Sequence, residues 1–397
     1  MKTKLFALAL ATGLFLNSCS SSDDPTPVTP PATGEITGTF TANKTYAYGN
    51  YTLKGIVKIN SGVTVTFEAG STITIDKATG DNALVVLKGG KLITQGTADK
   101  PVVFTEKSKL PGSWGGIIVY GDAPAKVAGG GTTGTSEDGN KISYGGTNAA
   151  DNSGSLVYTR VEYAGSKLAD GEKENNGFTF YSVGSGTTLD HLVSYKGADD
   201  GFEFFGGTVS MTNAISYGNY DDSFDWQDGW QGSTNTNWYA YQTGKGNYGM
   251  EIEASLNDNA FGPKISNITL KRAAGNVPEA NDNQVDAFQF KREGNGEYSN
   301  IIIDGYGNYT TTDGKTTYKG SAVSILDGVT NDHQVKTGKI KLLNVKITNT
   351  TNINPIGATD AIVVAFPTGN FVPSNTATGA SLTAGAWATV DGVDLTK

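Results

Sequence analysis

Apolar and polar residues alternate along most of this chain in short runs, and Gly, Asn, Asp and Thr punctuate them. Gly55–Ile59, Val63–Phe67, Ser71–Ile75, Ala83–Leu87 and Gly116–Tyr120 are early examples. Period-two alternation predicts strands with one buried and one wet face. No convincing amphipathic helix appears after about Glu35. An asparagine returns just before a short apolar run at Asn213, Asn237, Asn267, Asn300 and Asn344. His191 and Arg160 are expected in the same slot, which gives steps of 31, 22, 24, 30, 33 and 44 residues from Arg160. Strand-only recurrence of this size predicts a solenoid.

The middle of the chain also aligns with itself. Gly177–Phe180, Gly201–Phe204, Ser223–Trp226, Gly249–Ile252 and Ala287–Phe290 read as one strand in successive coils. The fold class expected is all-β: a single-stranded right-handed parallel β-helix with an asparagine ladder and aromatic core stacks. At roughly 22–30 residues per coil, about 12–15 coils follow. The asparagines are expected to exchange side-chain hydrogen bonds at the strand spacing of about 4.8 Å, with His191 capping the ladder. Phe178, Phe202, Phe224, Met250 and Phe288, with Phe180, Phe204, Trp226, Ile252 and Phe290, share the inward parity.

Composition adds the ends and the partners. Lys2 and Lys4 precede an apolar run, Leu5–Leu16, too short to span a bilayer. Cys19, the only cysteine, follows Leu16-Asn17-Ser18. Residues 1–19 therefore read as a signal peptide ending in a lipobox, with Cys19 as the lipidated residue. Residues 20–34 read as a flexible Ser/Asp/Pro/Thr tether, and 35–397 as the β-helix with terminal caps. The stretch after Phe366 is expected to form an edge cap. One cysteine leaves no internal disulfide. With 39 Asp+Glu against 30 Lys+Arg, nucleic acid is a poor partner. Two histidines disfavour a multi-histidine metal site.

The candidate chemistry lies on the outward parity. Glu203, Asp225 and Glu251 form one outward column if the coils stack, and carboxylates about 4.8 Å apart suit Ca²⁺, a possible cofactor. Asp200 and Asp222 precede the strands, and Trp230, Trp238 and Tyr239 lie nearby. Acids beside aromatics form the expected ligand-binding set, because sugar faces stack on rings and sugar hydroxyls bond to carboxylates. Solubilising surface acids and turn-forming Asp pairs are the plainer alternative, and it stays open. Lys291, with Arg292 or Arg272 beside it, is the weak catalytic candidate. Whether 121–154 and 305–320 cover this face is not settled by sequence.

The rungs Asp199–Gly207 and Asp221–Trp226, with the lipobox and the acidic Ser21–Asp24 after it, resemble surface lipoproteins of Bacteroidetes-type bacteria carrying a pectin-lyase-like β-helix. The resemblance implies a lipid-anchored protein on the outer-membrane surface, monomeric or associated with a TonB-dependent transporter, that captures a polysaccharide or small nutrient. Two other readings remain open. One is a calcium-dependent polysaccharide lyase on the same face. The other is an adhesin or surface structural element. The hydrolases of this fold carry a Gly-His-Gly that is missing here, which makes hydrolysis the weaker enzymatic option.

Overall fold

The computed structural model describes residues 30–167, 174–258, 262–278, 284–311 and 313–397. Cys19, the expected leader, the expected tether up to residue 29 and Asp282 lie outside the described residues. The compact unit is Ala32–Lys397. Its first strand, Ala32–Phe40, begins slightly before the expected boundary at residue 35.

One 25-stranded sheet winds through this unit, and its strands pair in parallel from coil to coil, apart from the short antiparallel pairing of Tyr309–Thr310 with Thr317–Ile325. The chain is therefore a parallel β-helix. One strand position can be followed through eleven rungs, from Lys44–Tyr46 through Thr64–Glu68, Lys91–Gln95, Gly154–Glu162, Thr188–Tyr195, Met211–Tyr217, Asn235–Gln242, Lys264–Arg272, Gly296–Asp304 and Ile340–Thr348 to Phe371–Pro373. That is fewer than expected, because insertions between strands lengthen several coils.

The core stacks match the expected parity. Phe178 pairs with Phe202, Phe224, Met250 and Phe288 in turn, and Phe180 with Phe204, Trp226, Ile252 and Phe290. Phe178 and Phe202 rings lie 5.1 Å apart and nearly parallel. Such pairs contribute about 0.5–1.5 kcal/mol beyond area burial.

The asparagine column has a backbone cause. His191, Asn213, Asn237, Asn267, Asn300 and Asn344 all have φ between 53° and 58°. They form the left-handed bend of one long strand, a conformation that Asn tolerates better than most residues. The side-chain ladder is real but interrupted. Asn237 Nδ2 donates to Asn213 Oδ1 at 3.0 Å and Asn300 to Asn267 at 2.7 Å, whereas Asn267 turns to the Thr236 hydroxyl at 3.0 Å.

Two expectations change at this column. Tyr158, not Arg160, occupies the slot before His191: its φ is 47°, and Val157 and Thr159 pair with Asp190 and Leu192 on either side. Arg160 pairs with Val193 two positions on. Asp190, not His191, caps the ladder, because its Oδ1 accepts from Asn213 Nδ2 at 2.7 Å. Burial alone would raise the pKa of Asp190, but hydrogen bonds from His191, Thr212 and Asn213 lower it to about 2.

The C-terminal segment does not simply close the last coil. Ile362, Val364, Phe366 and Phe371 pack against the core. The chain beyond then runs back along the bend column. Ser374 N meets Val345 O, Thr378 N meets Asn300 Oδ1, Ala380 N meets Thr269 Oγ1 and Ser381 N meets Asn237 Oδ1. Trp387, Ala388, Val390 and Leu395 bury the outward apolar residues Val193, Ile215 and Tyr239.

Candidate functional site: an acid-lined cavity

The strand alternation that sends Phe202, Phe204, Phe224 and Trp226 inward sends Glu203 and Asp225 outward. The register places Glu203, Asp225 and Glu251 on successive rungs, with Thr179 and Gln289 at the two ends. The turns before these strands are pinned from coil to coil. Asp222 N donates to Asp200 Oδ1 at 2.8 Å, and Tyr248 N donates to Asp222 Oδ1 at 2.8 Å.

A wall rises beside this column. The insertion 121–154 folds over the neighbouring outer face, where Tyr144 packs on Tyr181 and Phe205 with ring centroids at 5.0 and 5.9 Å. Tyr120 Oη donates to Asp138 Oδ2 at 2.5 Å, and Glu137 N donates to Tyr181 Oη at 3.1 Å. These contacts hold Glu137 and Asp138 at the rim. The segment 305–320, by contrast, contributes nothing to the cavity lining among the described residues.

The result is a cavity of about 250 Å³ lined by ten carboxylates, with Asn175, Asn176, Thr179 and Tyr181. Burial, and then the charges of neighbouring acids, pushes the carboxyls of Asp200, Glu203 and Asp222 well above the ordinary range. Asp225 moves the same way, through burial and Glu251, with Lys291 opposing. Two unit charges at the strand spacing repel by about 3–4 kcal/mol at an effective dielectric of 20. The cavity therefore needs protons or a cation.

Its oxygens are placed for one. Carboxylate oxygens of Asp200, Glu203 and Asp225 lie within 4.8 Å of one another, as do those of Asp199, Asp200 and Asp221. Ligands about 2.3–2.6 Å from a calcium ion stand at most about 5 Å apart. Asp225 is 8% exposed and its Oδ1 has no hydrogen-bond partner among the described residues, and Asn176 Oδ1 is likewise buried without one. Asn176 Nδ2 is spent on Glu203 Oε2 at 2.5 Å, and Gln227 Nε2 reaches Glu203 Oε1 at 3.3 Å.

Several expected site residues stand elsewhere. Glu251 lines the cavity, but its Oε2 is 2.6 Å from Lys291 Nζ, so Asp200 replaces it in the oxygen triad. Trp230 and Trp238 are core residues, 1% and 0% exposed. Their indole N–H groups donate to the carbonyls of Val209 and Met211, both at 2.9 Å, which lets them pack inside the coil against Phe204 and Phe224. Tyr239 is buried under the C-terminal segment with Val193 and Ile215. None of the three can stack on a ligand in the acid cavity.

Lys291 lies between Glu251 and Glu253, at 2.6 and 3.8 Å. Burial would lower its pKa, but the carboxylates of Glu251, Asp225 and Glu253 raise it above the ordinary lysine value. That is the opposite of what a general base requires. Arg292 meets Glu253 at 3.4 Å, and Arg272 lines a different cavity.

Sequence reasoning passed over Asn176, Glu137 and Asp138. Asn176-Gly177-Phe178 does align with Asp200-Gly201-Phe202 and Asp222-Ser223-Phe224, so the repeat held the signal for Asn176. Glu137 and Asp138 sit in an insertion outside any repeat, and nothing in the repeat points to them.

The architecture is matched by a family model described as a pectate-lyase-like beta helix domain, over residues 37–390. The chain belongs to this family. Comparison with curated proteins and with solved structures gave no match. The family carries the fold; the acid cavity is a property of these residues.

Proposed function

We propose that this β-helix is a binding protein whose acid cavity takes a divalent cation of the calcium class and, through it, an oxygen-rich ligand such as a polysaccharide. The observation that carries the reading is Asp225: its Oδ1 is buried without a partner among the described residues, and one of its carboxylate oxygens lies within 4.8 Å of oxygens from Asp200 and Glu203. A hard, oxygen-seeking cation removes the repulsion that otherwise holds these groups protonated. The lipobox at Cys19 and the acidic residues after it support anchoring at the outer-membrane surface, where such a protein serves nutrient capture beside a TonB-dependent transporter.

The lyase reading is weaker here, because the ammonium of Lys291 is held in its charged form by three carboxylates. The surface-structural reading predicts no heat with any cation. Calorimetric titration of chelator-treated protein with CaCl₂, paired with a screen for unsaturated sugar products, separates the three. Saturable heat that Glu203→Gln and Asp225→Asn both abolish, without turnover, supports the binding reading. Turnover abolished by chelator favours the lyase. Absence of heat and of turnover overturns both.

A further inference from the structure

A second cavity, about 430 Å³, opens between the turn at Arg272–Asn276 and the turn at 304–309, and it shares no lining residue with the acid cavity. Arg272 closes strand Lys264–Arg272 and is 6% exposed. Its Nη1 donates to the carbonyls of Gly246 and Asn247 at 2.9 and 3.3 Å, and its Nη2 to Asn276 O at 3.3 Å. A guanidinium has five N–H donors. The Nε–H and the second Nη2–H meet no acceptor among the described residues.

Nε–H and the Nη2–H next to it form the edge by which a guanidinium binds a carboxylate in bidentate fashion. No carboxylate of the described residues lies within 4 Å of Arg272. Asp286 is close enough to be felt, but its Oδ1 is taken by Ser321 at 2.5 Å, and burial raises its pKa to about 7. Asp304, the cavity's other charged lining residue, has its Oδ1 tied to Thr348 and Asn349 at 2.8 and 2.7 Å.

Asn276 supplies the independent observation. It is 2% exposed, it lines the cavity, and both its side-chain oxygen and its side-chain nitrogen lack partners among the described residues. An unmade hydrogen bond on a buried amide is destabilising, so a site that leaves both open is arranged for something that fills it. We infer that this cavity is a receptor for a small carboxylate, held by the free edge of Arg272 and the side-chain amide of Asn276.

The test uses the whole protein and two probes of nearly equal size, acetate and acetamide, at constant ionic strength in EDTA, read by the side-chain ¹⁵N signals of Arg272. A saturable acetate shift is expected, with acetamide at least tenfold weaker. Asn276→Leu and the same-sized Asn276→Asp are each expected to weaken acetate at least tenfold, with circular dichroism unchanged; the second carries the test if the first fails to fold. Equal responses to acetate and acetamide, or wild-type affinity in a folded Asn276 variant, overturn the assignment. Because EDTA is present throughout, failure here leaves the calcium reading untouched.

Discussion

Lys291 and Glu251 form an ion pair at 2.6 Å across adjacent coils, and that pair splits the acid column in two. On one side Glu251 and Glu253 are neutralised by protein. On the other, Asp225, Glu203 and Asp200 are not. The lysine thus sets the boundary of the cavity and competes with any cation for the field of Asp225.

Replacement of Lys291 by Met should therefore lower stability in EDTA by about 3 kcal/mol, the range for breaking a largely buried pair. Calcium should restore part of the loss, and calcium affinity should rise. Chemical denaturation with and without calcium checks both signs.

The raised carboxyl pKa values of Asp200, Glu203, Asp222 and Asp225 give a pH dependence of definite sign. In the folded state these groups hold protons that the unfolded chain has lost, so stability falls as pH rises from about 4 upward. Thermal midpoints in EDTA should be higher at pH 5 than at pH 8. Calcium should flatten the slope by favouring the ionised forms. Asp286, raised to about 7 by burial, adds a calcium-insensitive part that Asp286→Asn removes.

Trp230→Ala tests the corrected placement of the tryptophans. A core indole of this kind should cost about 3–5 kcal/mol. Calcium affinity in the folded variant should stay within threefold of wild type, whereas an indole lining the cation cavity would change it.

Asn237 separates two explanations of the bend column. Asn237→Gly keeps the left-handed backbone and loses the amide bonds, at a cost of about 1 kcal/mol. Asn237→Val forces a β-branched residue to a φ of 58° and should cost clearly more. Equal losses in urea denaturation would mean that the amide ladder, not the bend, governs this position.

The winding and its core could be read from the sequence because both rest on local rules: alternation sets parity, and Phe202, Phe224 and Phe288 repeat at one phase. Glu203 and Asp225 followed from the same rule. Trp230 and Trp238 did not, because an indole that bonds a carbonyl inside the coil has the same composition as one on the surface. Asp138 and Trp387 were illegible for another reason. Each acts on coils far from it in sequence, and only the three-dimensional path of an insertion or a tail brings it there. Tyr158 is not legible as a member of the column because the bend needs only a positive φ, and an aromatic residue there carries none of the signal that Asn does.

The tail that lies along the bend column has a consequence for biogenesis. Val193, Ile215 and Tyr239 leave the ribosome well before Trp387, Val390 and Leu395, which cover them. A greasy strip on a half-finished spiral stays open to solvent, and to other nascent chains, until the segment 374–397 arrives and zips it shut. A chain that lacks 374–397 would then aggregate, although the coils which that segment covers would already have formed.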